Sequence, residues 1–173
     1  DSETFTVTVN AVNDAPVLAT VSDVSFDEDG STSISLSASD VDNSDLEFSI
    51  TGGTDISASL TGSDVSFSAP DNYNGSETFI ATVSDGDLSS SQSFTVTVNA
   101  VNDVPVLSSV GNQELSEDGI LNILLSAFDI EGDVLEYSVD GGSNILVSLS
   151  GSELVFTPAQ DFNGSETFTV SVS

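Results

Sequence analysis

The sequence predicts an all-β protein made of two tandem β-sandwich repeats, each with about seven strands. Apolar and polar residues alternate with a period of two, as they do in strands that bury one face. Turn residues separate these runs at the ~8–12-residue spacing typical of sandwiches. The pattern also recurs after 89 residues (94 − 5), which indicates repeated domains. No segment has the periodicity of an amphipathic helix.

Identical segments define the repeat. Phe5–Asp14 recurs unchanged at Phe94–Asp103, and Asn74–Phe79 recurs at Asn163–Phe168. This register predicts three parts: residues 1–13, the last strand of a preceding repeat plus a linker; residues 14–102, repeat 1; and residues 103–173, repeat 2 without its last strand. We therefore expect a window cut from a longer tandem array.

The strands can be placed in order from the alternating apolar residues. In repeat 1 these are Ile34/Leu36/Ala38, Leu46/Phe48/Ile50, Ile56/Ala58/Leu60, Val65/Phe67, Phe79/Ala81/Val83 and Phe94/Val96/Val98. In repeat 2 they are Ile123/Leu125/Ala127, Leu135/Tyr137/Val139, Ile145/Val147/Leu149, Leu154/Phe156 and Phe168/Val170/Val172. Gly52-Gly53, Gly62-Ser63 and Asn74-Gly75 are expected to form turns between strands.

The composition excludes several classes of function. The 173 residues include 29 acids and no Lys, Arg, His or Cys, which gives a formal net charge of −29. Without cationic side chains the chain cannot bind nucleic acid through phosphates or dock on an anionic membrane. Disulfides, zinc–thiolate sites and histidine-based triads are excluded as well. The apolar runs are too short for insertion into a membrane.

The acids cluster in turns at the ends of the predicted strands, and several clusters occur in both repeats. Ca²⁺ takes six to eight oxygen ligands from carboxylates, amides and carbonyls, and short-spaced acids on one loop suit it. The spacing is not that of an EF-hand. We interpret the repeated clusters as calcium ligands. The alternative is that Asp and Asn only form solvated turns.

The motifs Val12–Pro16, Val101–Pro105, Ala38–Asp42, Asn74–Phe79 and Val83–Gly86 resemble cadherin-like and bacterial Ig-like tandem repeats, close to VCBS-type modules, of giant bacterial surface proteins and adhesins. The resemblance covers essentially the whole chain. It implies Greek-key Ig/cadherin-like sandwiches with Ca²⁺ at the junctions between modules. It also implies an extracellular or cell-surface location.

The resemblance assigns ligands residue by residue. The junction between the repeats would use Glu28, Asp85, Asn102, Asp103, Asp129 and Glu131, and the preceding junction would use Asn13, Asp14, Asp40 and Asp42. Further candidate ligands are Asp29, Asp71, Asp87, Glu117, Asp118 and Asp133. Asn10 and Asn99 stand where cadherins usually have a linker Asp, and Glu131 replaces a second Asp.

These features predict a structural protein: calcium-stiffened spacer repeats of a surface, adhesin or filament protein, with neighbouring repeats as partners. One alternative is the subunit of a homopolymeric fibre, in which Thr4–Asn10 of one copy completes the sheet of another. A carbohydrate-binding adhesion module is a weaker alternative, because there is no Trp and only two Tyr. Catalysis by paired carboxylates is not expected. Asn74 and Asn163 match the glycosylation sequon, but a tight Asn-Gly turn at the same place in each sandwich is the preferred explanation.

Overall fold

The computed structural model describes residues 1–173. The chain divides into two compact units, Asp1–Val101 (unit 1) and Asn102–Ser173 (unit 2). Every regular element in both units is a β-strand, which confirms the all-β fold class. The structure has no helix that could cross a membrane.

Unit 1 contains nine strands. They are β1 (Val17–Leu18), β2 (Val24–Asp27), β3 (Ser31–Ser35), β4 (Ala38–Ser39), β5 (Glu47–Gly52), β6 (Ser57–Thr61), β7 (Asp64–Ser68), β8 (Gly75–Ser84) and β9 (Ser89–Asn99). They form a four-stranded sheet in the order β2-β9-β8-β5, a three-stranded sheet β3-β7-β6, and the pair β1-β4. Neighbouring strands are antiparallel, except that β2 runs parallel to β9.

The core of unit 1 lies between its two larger sheets. Phe67 of β7 packs edge-on against Phe79 of β8 and Phe94 of β9, with ring centroids 5.3 and 6.0 Å apart. Val65 and Val96 are fully buried beside them. The predicted alternation is therefore confirmed in these strands, because their inward residues are the ones that the sandwich buries.

One predicted run is divided between two pairings. Ile34 lies in β3, which pairs with β7, whereas Ala38 lies in β4, which pairs with β1. Between them, the amide of Leu36 donates to the carbonyl of Ser63 at 2.8 Å. Apolar and polar residues keep alternating where the chain changes pairing partner, so the sequence pattern does not reveal the change. It is one reason for nine strands in unit 1 rather than about seven.

The turn expected at Asn74-Gly75 lies a few residues earlier. The amide of Tyr73 donates to the carbonyl of Pro70 at 3.1 Å, and Asn72 has a φ of 57°. Gly75 instead begins β8 beneath the Tyr73 ring, where a Cβ would lie 2.8 Å from the tyrosine hydroxyl. The glycine is needed for this close approach, and Tyr73 packs against the core.

Unit 2 repeats part of this arrangement with seven strands. They are β10 (Val106–Leu107), β11 (Leu121–Leu124), β12 (Ala127–Phe128), β13 (Tyr137–Gly141), β14 (Ile145–Ser150), β15 (Glu153–Pro158) and β16 (Phe168–Val172). The sheets are β11-β15-β14, β13-β16 and β10-β12. Phe156 of β15 packs edge-on against Phe168 of β16, with centroids 4.9 Å apart.

Residues 1–16 form no strand in this chain. Phe5, Val7 and Val9 are 84%, 74% and 91% exposed, although their copies in β9 are buried. The reason is that the positions next to β2 and β8 in unit 1 are already filled by β9.

Candidate metal centres

The first acidic cluster lies in unit 1 and comprises Asn13, Asp14, Asp40, Asp42 and Asp85. The side chain of Asn13 donates to Asp85 Oδ2 at 2.8 Å, and the amide of Asp14 donates to Asp42 Oδ2 at 2.9 Å. These contacts join four of the predicted ligands across large separations in sequence.

The two carboxylate oxygens of Asp40 differ, because one accepts hydrogen bonds and the other has no partner. Its Oδ1 accepts the amides of Asp42 and Asn43 at 2.8 and 2.7 Å, which shapes the turn after β4. Its Oδ2 is buried and has no hydrogen-bond partner. Asn43, which the sequence did not single out, donates to Asn13 Oδ1 at 2.9 Å and so contributes to the same cluster.

Asp85 belongs to this cluster and not with Glu28, so the predicted grouping of these two residues is wrong. Asp85 lies just before β9 begins, whereas the amide of Glu28 donates to the carbonyl of Asn99 at the far end of β9. At ~3.3 Å per residue, the eleven residues of β9 hold them at opposite ends of unit 1. Hydrogen bonds from the Leu88 amide, the Asn13 side chain and the Asp87 amide lower the pKa of Asp85, so it is ionised at neutral pH.

The Glu28 site lies at the other end of unit 1. Glu28 is only 6% exposed, and its Oε1 accepts the amide of Val101 at 2.5 Å. Its Oε2 is buried without a partner. The neighbouring Asp29 accepts the Asn72 amide at 2.9 Å, which brings the turn that contains Asp71 to the same end.

The second acidic cluster lies in unit 2 and comprises Asn102, Asp103, Asp129, Glu131 and Asp133. The amide of Asp103 donates to Glu131 Oε2 at 3.3 Å, as Asp14 does to Asp42 in unit 1. Asp129 is 6% exposed, and its Oδ1 accepts the Asp133 amide at 3.0 Å. Asp103 Oδ2 is buried without a partner.

The remaining candidates have other surroundings. Asp118 accepts the Asp161 amide at 3.3 Å, which is the unit 2 counterpart of the Asp29 contact. Glu117 is exposed, unlike its counterpart Glu28. Asp87 lies beside the first acidic cluster, where its backbone amide donates to Asp85. The sequon residues Asn74 and Asn163 are both exposed.

No three acidic side chains converge into a group that could hold a metal ion alone. A Ca²⁺ ion would therefore need amide, carbonyl or water oxygens in addition. The side chains present suit that mixture: three buried oxygens lack partners, on Glu28, Asp40 and Asp103, and all three belong to predicted ligands. A buried carboxylate oxygen without a partner is costly unless a cation neutralises it.

Two glutamates that the sequence analysis did not select each hold a loop. Glu77 accepts the amides of Thr54, Asp55 and Ile56 at 2.8–3.1 Å. Glu166 accepts the corresponding amides of unit 2, from Ser143, Asn144 and Ile145. Their only sequence signal is their place in the repeated Asn-Gly-Ser-Glu-Thr-Phe motif.

Comparison with known proteins agrees with this architecture. A family model described as bacterial Ig domain matches residues 13–99 and 102–173. Two cadherin structures share the fold. Human protocadherin-24 EC1-2 is 19% identical, with 93% of this chain and 95% of that chain covered and a TM-score of 0.56. Drosophila N-cadherin EC1-4 is 15% identical, with 92% and 48% covered and a TM-score of 0.57.

Endo-fucoidan hydrolases of glycoside hydrolase family 107 are also similar over 91–92% of this chain, at 17–19% identity and TM-scores of 0.40–0.42. The chain spans only 26–28% of the length of those enzymes. No curated protein matches the chain.

Proposed function

The chain belongs to the bacterial Ig domain family, and from this premise we propose that its repeats are structural spacers that bind Ca²⁺ at their acidic ends. Bacterial Ig domains are typical of extracellular surface proteins, and the proposed location is the cell surface. The role is that of a spacer in an adhesin or filament protein, with neighbouring repeats as partners.

The observation that carries the proposal is the set of unpartnered buried oxygens on Glu28, Asp40 and Asp103. In most proteins a Lys or Arg could neutralise such groups, but this chain has neither. No donor of the chain reaches these three oxygens, and a hard divalent cation is a group that carboxylate oxygens bind well. Solvated turns, the alternative reading of the acids, do not explain why these oxygens are buried.

Two sets of ligands follow from the contacts within each unit. The first acidic cluster would hold Ca²⁺ through Asp40 and Asp42, with Asn13, Asp14 and Asp85 beside them. The second acidic cluster would hold Ca²⁺ through Asp129 and Glu131 of unit 2, with Asn102 and Asp103 beside them. When bound, Ca²⁺ would supply neutralising charge and tie the linker to the strands that carry these acids.

The physical effect would be large, because 29 acids repel one another. Each Ca²⁺ removes two negative charges. A ligand at ~100 times its Kd adds ~2.7 kcal/mol of stability, a considerable share of a domain's ~5–15 kcal/mol. We propose that this stiffens the linkers of the array.

The test is the thermal melting of the chain and of the Asp40→Asn variant, in EDTA, Ca²⁺ and Mg²⁺. We expect Ca²⁺ to raise the Tm of the wild type by many degrees, and Mg²⁺ to raise it much less. Asp40→Asn keeps an acceptor for the turn amides but removes the buried charge. It should therefore be at least as stable as the wild type in EDTA and should lose most of the Ca²⁺ shift.

The matched control is Asp55→Asn, which changes the charge equally at an exposed side chain. It should retain the full Ca²⁺ shift. A wild-type chain whose Tm does not respond to Ca²⁺, or an equal loss of response in the two variants, would contradict the proposal and leave the acids as solvated turns.

A further inference from the structure

Unit 2 carries an exposed apolar surface on the outer side of its β11-β15-β14 sheet and of the β10-β12 pair. Along residues 120–128 the even-numbered side chains point outward, because the odd-numbered ones between them are turned towards the core. Five outward apolar side chains are each 66–76% exposed, and together they are called the apolar face: Val106, Ile120, Leu124, Phe128 and Leu146.

The strand register brings the residues of the apolar face together. Val106 lies opposite Phe128 in the β10-β12 pair. Leu124 of β11 and Leu146 of β14 lie on either side of β15, whose outward Val155 is half-buried between their rows. Exposed to this degree, five such side chains present an apolar area on the order of several hundred Å², the size at which a patch marks an interaction site.

The same face of unit 1 is polar, so the fold does not require apolar residues there. The positions 89 residues earlier than four members of the apolar face hold exposed serines: Ser31, Ser35, Ser39 and Ser57. No strand of unit 1 covers these serines, and β9 lies in the opposite sheet. The apolar face of unit 2 is therefore an outer surface of the sandwich itself, and its composition distinguishes the two repeats.

Acidic side chains lie around and within the apolar face. Glu117 and Asp118 come directly before Gly119 and Ile120, and Glu153 lies opposite Leu124 on β15. All three acids are exposed, and the chain has no Lys or Arg to pair with them. A partner that complements this surface must therefore combine apolar side chains with cations.

A second copy of the chain does not fit that description. It would bring a further charge of −29 and no cation. The apolar face is also smaller than the ~800 Å² that each partner of a stable protein complex typically buries. A short segment of another protein needs less area, and Lys or Arg residues on it would be attracted to the acids.

We propose that the apolar face of unit 2 is a docking site for a basic amphipathic segment of a partner protein, in which apolar residues are flanked by Lys or Arg. The apolar side chains of the segment would cover Leu124, Phe128 and Leu146, and burial of such area contributes ~25 cal/mol per Å². Its cations would lie against Glu117, Asp118 and Glu153. Unit 1, with serines at these positions, would not bind the segment.

The first test is the binding of a short peptide of Leu and Lys, arranged as an amphipathic helix, to the 173-residue chain. Calorimetry in EDTA keeps the result independent of the calcium proposal, and moderate salt screens unspecific attraction to the charge of −29. We expect saturable binding of one peptide per chain. A peptide with Ser in place of every Leu should bind much more weakly, and equal binding of the two peptides would overturn the proposal.

A pair of variants locates the site. Leu124→Ser with Phe128→Ser gives unit 2 the residues that unit 1 has at these positions, so the variant should fold and its net charge is unchanged. We expect it to bind the Leu-Lys peptide at least ~tenfold more weakly, the equivalent of ~1.4 kcal/mol. Melting of the variant in EDTA checks that it is folded.

The matched control is Val17→Ser with Val41→Ser, which removes two side chains of unit 1 that are 64% and 87% exposed. It should bind the peptide as the wild type does, and an equal loss in both double variants would contradict the location. Sedimentation without peptide tests the other occupant. We expect a monomer, whereas self-association that Leu124→Ser with Phe128→Ser abolishes would assign the face to a second copy and overturn the basic partner.

Discussion

Glu77 and Glu166 show how much a single carboxylate does in a chain without cations. Each accepts three backbone amides of the loop that precedes a core strand. These bonds lower the pKa of Glu166 from 4.5 to about 2. At Glu77 burial alone would raise the pKa, but the three amides outweigh it and the pKa is lowered. The anchors of these loops are therefore charge-assisted hydrogen bonds.

This predicts how the stability of unit 2 depends on pH. The pKa of Glu166 is depressed in the folded state, so its contribution is complete above pH 4.5, the pKa of the unfolded chain. It is lost as the pH falls towards about 2. We expect the difference in Tm between the wild type and Glu166→Gln to be large at neutral pH and to shrink across this window. Melting of both proteins over a pH series measures it.

Glu153→Gln is the control, because Glu153 is exposed on β15. Its difference from the wild type should stay small throughout. If Glu166→Gln melted like the wild type at neutral pH, the three amides would not depend on the carboxylate.

At the scale of single elements, two connections each contain a glycine with positive φ, but the two glycines have different surroundings: Gly53 lies between β5 and β6, and Gly62 lies between β6 and β7. Gly53 has a φ of 75°, and a Cβ there would lie 2.5 Å from the Phe79 ring and 2.4 Å from the carbonyl of Ile56. Gly62, in the turn between β6 and β7, has a φ of 64° with open space around it. The first glycine allows the chain to pass over the core, whereas the second only sets the turn.

We therefore expect Gly53→Ala to destabilise unit 1 considerably more than Gly62→Ala. Both variants place alanine in the left-handed region, which costs ~1–2 kcal/mol. Only Gly53→Ala adds a clash with backbone and core, for ~1–3 kcal/mol more. Urea unfolding of the two variants compares them directly, and equal midpoints would show that conformation alone decides the cost.

At the scale of the whole molecule, the charge of −29 opposes compact folding. We expect NaCl to raise the Tm in EDTA, because the Debye length falls from ~10 Å at 0.1 M to ~3 Å at 1 M. Ca²⁺ should raise it further than NaCl of the same ionic strength, since bound ions neutralise buried oxygens that screening does not reach. A Tm in EDTA that does not change with NaCl would show that repulsion does not limit stability.

The amino-acid pattern is enough to predict the all-β class, the buried faces of most strands and the acidic clusters. Alternation identifies the buried face because side chains in a strand alternate between its two sides. The alternation therefore predicts that Phe67, Phe79 and Phe94 point into the core, where Phe67 packs against the other two rings. The 89-residue repeat also placed the candidate ligands in matching positions in both repeats.

Which of these residues contact one another depends on how the chain folds. The family resemblance groups Asp85 with Glu28, whereas the fold places Asp85 against Asn13, a contact between residues 72 apart that no local pattern shows. Nor does alternation reveal a strand that changes partners, as between Ile34 and Ala38. The buried free oxygens of Asp40 and Asp103 and the amides held by Glu77 have the same physical origin. They depend on contacts between distant segments, which local patterns do not contain.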